Sequence, residues 1–203
     1  MLASAEESTA IVKESVDEVL EVLRADPERA REDPEFVIEV VEDKVLPHVD
    51  VEGMARLVLA RHWRDATDEQ RTRFTDAFTQ TLLQAYGSQL GEYLDSEVRI
   101  MERRSRQDER MAVVATEIVL GQGESNVRVN YRLRRVDGTW KVFDVEAEGL
   151  SFVGNFRTRF NEEVNRNGLE SLIVRLEEGD TELLEEIEGT VGDLMGDKES
   201  GSR

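Results

Sequence analysis

Along this chain the apolar residues follow helical spacing through the first half and change to strand spacing near residue 97. Over Glu6 to Arg24, the residues Val12, Val16, Val19, Leu20 and Leu23 form one stripe with charges opposite, which predicts an amphipathic helix. Asp26-Pro27 ends it. Asp33-Pro34 then offers a capping carboxylate with proline at the first helical position, and the helix it opens carries Phe36, Val37, Val40, Val41 and Val45. Leu46-Pro47-His48-Val49-Asp50 breaks the pattern, and Asp50 can cap a third short helix through Met54, Leu57 and Val58. Thr67-Asp68-Glu69-Gln70 is a capping box, with a hydroxyl at the cap and an amide three residues on. It predicts the longest helix, running to about Leu94 with Phe74, Phe78, Leu82, Leu83, Tyr86 and Leu90 on its buried face.

From Glu97 the period is two. Val98 and Ile100 predict a first strand and Met111 to Leu120 a second, followed by a turn at Gly121 to Glu124. In the third strand Val127, Val129, Tyr131 and Leu133 alternate with Arg128, Asn130, Arg132 and Arg134. Trp140 to Glu148 is the fourth, after a hairpin turn at Val136 to Gly138. Short links between consecutive strands imply an antiparallel meander with one wet, basic face and one face meeting helices. The stretch from Thr139 to Phe160 joins the two halves. Phe143, Val145 and Ala147 alternate with Val142, Asp144, Glu146 and Glu148 until Gly149, after which Phe152, Val153, Phe156 and Phe160 take helical spacing. A strand thus hands directly to an aromatic helix laid back across the sheet, and the corner at Leu150 and Phe152 is a natural mouth for an apolar cavity.

Asn167-Gly168 stops that helix, and Leu169, Leu172, Ile173 and Leu176 form a further short one. Beyond Gly179 the chain is acidic, with a weak stripe of Leu183, Leu184, Ile187, Val191 and Leu194 that suits either a helix packed on the body or a frayed tail. The expected fold is α+β: a four-stranded antiparallel curved sheet wrapped by several helices. Residues 1–179 are read as a single domain and 180–203 as an acidic C-terminal helix or tail.

Composition narrows the function. With 203 residues and 39% hydrophobic content the chain can bury a sizeable core. Lys and Arg number 26 against 45 Asp and Glu, a net charge of −19, which argues against a nucleic-acid partner. The chain has no cysteine, so disulfides and thiolate metal sites are excluded. No apolar run reaches the roughly 20 residues that span a bilayer, and no secretory signal is visible. Either the protein works in the cytosol or a signal has been removed.

Catalytic chemistry is hard to assemble. The two histidines, His48 and His62, sit in a proline-containing break and at a helix end. No metal-ligand spacing, nucleophile elbow or phosphate loop is present. Asp144, Glu146 and Glu148 share a strand face, and Asp144 or Glu146 could act as a general base in a half-open pocket. Three acids in a row also describe a solvated face paired to Arg128, Arg132 or Arg134.

The order of several short motifs carries more. Leu46-Pro47-His48-Val49-Asp50, Trp63-Arg64-Asp65-Ala66-Thr67-Asp68-Glu69-Gln70-Arg71, then Phe74, Phe78 and Tyr86 are followed by Trp140-Lys141-Val142-Phe143-Asp144-Val145, Glu148-Gly149-Leu150-Ser151, Asn155-Phe156-Arg157 and Phe160. Over about Asp33 to Leu176 this resembles the MlaC family, the toluene-tolerance component of an ABC transport system. The resemblance implies a body similar to nuclear-transport-factor-two-like domains with helical additions. It implies a periplasmic, non-enzymatic shuttle that carries phospholipid between an outer-membrane lipoprotein complex and the substrate-binding subunit of an inner-membrane ABC transporter, with the lipid as cargo and no cofactor. The missing signal then reads as removed, and a monomer is expected. The other readings kept open are an enzyme using Asp144 or Glu146 and a cytosolic helical adaptor using the acidic tail. For the shuttle, the expected lipid-binding residues are Val129, Tyr131, Phe143 and Val145 on the strands, Phe78 and Leu82 on the long helix, and Leu150 at the mouth with Phe152 and Phe156 behind it.

Overall fold

The computed structural model describes residues 6–87, 94–120, 125–180 and 182–183. Leu90, the expected turn at 121–124 and the apolar stripe beyond Leu183 lie outside the described residues. The first described helix is α1 (Glu6–Ala25). Two short helices follow, α2 (Pro27–Glu32) and α3 (Pro34–Lys44). The same device starts both. The Asp26 carboxylate accepts from the Arg29 amide at 3.2 Å and the Asp33 carboxylate from the Phe36 amide at 3.1 Å, each with proline in the first turn. Asp26-Pro27 therefore opens a helix as well as ending one, which the sequence reading passed over.

After a 3-10 turn (Leu46–His48), Val49 pairs with Val142 and the Asp50 amide donates to the Val142 carbonyl at 2.8 Å. Then come α4 (Val51–Leu59), capped by Asp50, α5 (Arg61–Asp65) and α6 (Asp68–Leu82). Both hydrogen bonds of the Thr67–Gln70 capping box are formed. A π-helical turn (Leu83–Gly87) extends α6.

The sheet is antiparallel, as expected, and has six strands rather than four: β1 (Glu97–Ile100), β2 (Arg106–Gln107), β3 (Met111–Val119), β4 (Val127–Val136), β5 (Thr139–Ala147) and β6 (Leu150–Ser151). The order is β1-β3-β4-β5-β6, with β2 also pairing β3. Two local events add the strands. The edge of β3 is covered by β1 and then β2, separated by a loop in which the Ser105 hydroxyl accepts from the Ala115 amide at 3.1 Å. At the other end Glu148 and Gly149 both take positive φ, 47° and 88°, and the tight turn folds β6 back on β5.

The alternation expected in β5 fails at one residue. Leu133 pairs with Val142 and Arg132 with Asp144, so Phe143 is the extra residue of a β-bulge. The inner face is therefore Leu133, Tyr131 and Val129 on β4 with Val142, Val145 and Ala147 on β5. The outer face carries Arg128, Asn130, Arg132 and Arg134 against Lys141, Asp144 and Glu146.

The Ser151 hydroxyl caps α7 (Phe152–Asn167) through the Gly154 amide at 2.9 Å, and α8 (Leu169–Glu177) follows Gly168. Helices α4, α6, α7 and α8 enclose the largest apolar cluster. At its centre Phe74 and Phe78 stack at 5.7 Å, and Phe156 meets Phe78 edge-on at 5.2 Å beside Phe160. On the sheet's inner face, Val12 of α1 packs with Ala112, Val114, Leu133 and Trp140.

A half-buried joint ties α4 to the sheet. Asp50 caps Gly53 at 3.0 Å and pairs with Arg134, whose guanidinium lies over the Phe143 ring at 5.8 Å. A Cβ at Gly53 would fall on the Arg134 guanidinium and the Asp50 carboxyl group. Gly53→Ala gains about 1 kcal/mol of helix propensity elsewhere in proteins. Here it is expected to lose about 1–2 kcal/mol in urea unfolding, because the joint must open; a stabilised variant would show that it does not constrain the fold. Phe78 is fully buried. Phe78→Glu places a carboxylate among the three rings of Phe74, Phe156 and Phe160 at a cost of several kcal/mol, and the expected outcome is loss of the cooperative thermal transition.

Candidate functional site

A cavity of about 280 Å³ lies between α1, the C-terminal end of α3 with the following turn, and the inner face of the sheet. Its wall is almost wholly apolar: Ile11, Val16, Val19, Leu20 and Leu23 of α1, Val41 and Val45, and Val98, Ile118, Val142 and Val145 of the strands. The polar groups on it are Ser15, Ser96, His48 and Tyr131. Ser15 donates to the Ile11 carbonyl at 2.8 Å, so its hydroxyl is spent within α1. Burial pushes the Tyr131 phenol above its ordinary pKa against a hydrogen bond with Thr116, so it is neutral throughout the physiological range.

Helix α1 forms one wall and is fastened at both ends. Near its start Glu7 accepts from Arg135 and from the Trp140 indole at 3.3 Å. Near its end Arg24 donates to the carbonyls of Leu94 at 2.8 Å and Ser96 at 2.9 Å. Between these anchors Ile11, Val16 and Leu20 remain half-buried beside the cavity.

Of the residues expected to bind lipid, Tyr131 and Val145 stand on the cavity wall. Val129 and Phe152 lie in the neighbouring cluster with Val127 and Ala147, which shares Ile118, Tyr131 and Val145 with the wall. Phe78 and Phe156 are in the aromatic core, and Leu82 and Phe143 pack at its edge. Leu150 is 50% exposed on β6, outside the cavity wall. Sequence reasoning did not assign α1, Val41, Val98 or Val142 to the wall. The α1 stripe was visible, but a stripe does not name what it covers, and the bulge at Phe143 hid the inward turn of Val142.

The carboxylates on the outer face are engaged. Asp144 is buried and accepts from the Ser151 hydroxyl at 2.7 Å and the Val153 amide at 3.1 Å, which fastens the first turn of α7 to β5. Arg132 at 2.5 Å and Asn130 at 3.0 Å hold the Glu146 carboxyl below the usual range, the opposite of what a general base needs near neutral pH. Glu148 pairs with Arg128 at 3.2 Å, completing the cross-strand pattern expected from the alternating charges. His62 accepts from the Arg61 side chain at 3.3 Å. Among the described residues no group of His, Cys, Asp and Glu is placed to hold a metal, and no helix is long and apolar enough to cross a membrane.

Known proteins match both chain and fold. The MlaC protein family matches residues 13–178. The chain is 22% identical over 170 residues to the intermembrane phospholipid transport system binding protein MlaC of Haemophilus influenzae, covering 83% of this chain and 79% of that one. It is 28% identical over 159 residues to the toluene tolerance protein ttg2D of Pseudomonas putida, covering 78% and 73%. A phospholipid-binding protein of Ralstonia solanacearum, solved in complex with a phospholipid, superposes with a TM-score of 0.78 at 27% identity, over 87% of this chain and 98% of that one. The family match spans nearly everything from α1 to α8, and the chain belongs to the MlaC family.

Proposed function

We propose that this protein is a phospholipid carrier working between two membranes, in the periplasm, and that lipid acyl chain occupies the cavity under α1. The apolar cavity is the observation that carries the reading. Burying a methylene is worth about 0.8 kcal/mol, so a sixteen-carbon chain needs roughly 12 kcal/mol of dry environment to leave a membrane. A soluble carrier supplies that with side chains rather than catalysts. Residues 1–179 act as one lipid-binding unit in this reading, as a monomer that exchanges cargo with an outer-membrane lipoprotein complex and an inner-membrane ABC transporter. Support for the setting comes from the Haemophilus influenzae relative, named for intermembrane phospholipid transport, and from the solved relative that holds a phospholipid.

Ligand pockets usually measure roughly 300–1,000 Å³. At about 280 Å³ the cavity suits part of one chain, so a whole two-chain lipid requires α1 to move away from the sheet. The neighbouring cluster of Val129, Ala147 and Phe152 shares a wall with the cavity and is the direction in which we propose the slot widens, toward the corner at Leu150. The enzyme reading has no observation in its favour: Asp144 fastens α7, and Glu146 is bound by Arg132 and Asn130.

Native mass spectrometry with lipid extraction should find co-purifying phospholipid. Protein purified gently from cells with no lipid bound would sink the proposal. Val16→Trp fills the cavity from a half-buried position and should remove bound lipid while leaving the melting temperature at or above wild type. Leu150→Glu puts its charge at an exposed site, so the fold should melt as wild type and the bound lipid should fall. Wild-type lipid levels in that variant would confine the chain to the cavity wall alone.

A further inference from the structure

The outer face of the sheet has a different chemistry. Residues 97–135 hold nine arginines against six carboxylates, so this region is cationic within a chain of net charge −19. Part of it lines a groove of about 390 Å³ on the face opposite the lipid cavity, with Met101, Arg104, Arg106, Ala115, Arg128 and Arg132 among its walls. Glu148 and Glu146 engage Arg128 and Arg132. Arg104 and Arg106 are exposed, and among the described residues their guanidinium groups make no hydrogen bond or close ion pair, although the charge of Arg106 is felt by Glu146 across the groove. A second depression, of about 350 Å³, continues past Arg106 and Arg132 to Val113, Phe143 and Met111, and Met111 is 45% exposed. Cationic and apolar groups therefore alternate along one trough.

We propose that this trough is a docking surface for an acidic segment of a partner protein, in which carboxylates alternate with apolar side chains. Each unpaired guanidinium offers a planar fork of donors that matches a carboxylate. Val113, Ala115 and Met111 give apolar side chains a floor between the charges. An anionic lipid surface fits less well, because the net charge of −19 repels it and a flat plane of headgroups cannot reach the floor of a groove. A cationic patch on an anionic protein also orients the approach of an acidic partner, which raises association rates at low salt. This inference does not depend on the lipid reading, since the two surfaces lie on opposite faces of the sheet.

The test uses the full chain and a fluorescein-labelled ten-residue peptide of alternating Glu and Val, read by anisotropy at low and high salt. The peptide should bind, a Lys-Val counterpart should not, and affinity should fall as salt rises. Arg104→Glu/Arg106→Glu should weaken binding at least tenfold while melting and bound lipid remain as wild type. If that variant melts early, Arg104→Ala/Arg106→Ala replaces it and should also weaken binding. Arg64→Glu/Arg166→Glu makes the same change of net charge on the helical side and should leave binding unchanged. Absence of peptide binding, or equal loss in the two reversal variants, would overturn the proposal. So would phosphatidylglycerol vesicles binding with the same dependence on Arg104 and Arg106, which would assign the groove to a lipid surface. A concentration-dependent dimer in sedimentation, dissolved by Arg104→Glu/Arg106→Glu, would assign it to a second copy of this chain and overturn it equally.

Discussion

The joint between β5 and α7 is made by one buried carboxylate, and the rest of the structure depends on it. Asp144 points to the outer side of the sheet, where the Ser151 hydroxyl and the Val153 amide both donate to it. A carboxylate taken out of water costs several kcal/mol unless its oxygens are bonded, so the bonds fix the angle at which α7 leaves the sheet. That angle delivers Phe156 and Phe160 to Phe74 and Phe78 and closes the helical core. Asp50 plays the matching part for α4 by capping the helix and binding Arg134. Both carboxylates face arginines of β4, and Arg132 approaches Asp144 at 4.0 Å. The helical half is therefore keyed to the outer side and edge of the sheet through charge.

The inner face is left to be covered by α1 and α3, whose side chains form an apolar wall without close fit at the centre. Interiors are normally packed as densely as organic crystals, and an unfilled apolar space forfeits dispersion contacts along its whole lining. The anchors at the two ends of α1, through Glu7 and Arg24, hold the helix in place although its middle packs over a void. These polar contacts are each worth little in water, and the buried Val12, Val19 and Leu23 supply most of the hold on α1.

Much of this was legible in the sequence. The helix starts at Asp33, Asp50 and Thr67 are chemical statements that the backbone obeys, and Gly149 marks a corner because two left-handed residues are needed there. The antiparallel meander followed from the short links. The cavity wall was not legible, for two physical reasons. Periodicity reports which face of α1 is apolar but not its partner, since burial against a packed core and burial against a void look alike. A β-bulge adds one residue without a compositional mark, so Phe143 reads as inward although Val142 takes that place. Phe78 and Phe156 were assigned with the lining for the same reason: an aromatic at helical spacing serves a core and a cavity equally well.

The bulge has a further consequence for how one sheet carries two surfaces. Before it, Val142 faces the cavity; after it, Asp144 faces outward and Val145 returns to the cavity wall. Without the extra residue, the strict period of two that places Val142 inward would also place Asp144 inward and Val145 outward. A carboxylate would then stand in the apolar space, and α7 would lose its anchor. The slip at Phe143 lets the same strand present valines to the inner face on both sides of the register change, and acids to the arginines of the outer face after it. The separation of an apolar cavity from a charged trough therefore rests on a single unpaired residue, whose own side chain is accommodated by the Arg134 guanidinium and the edge of the aromatic core.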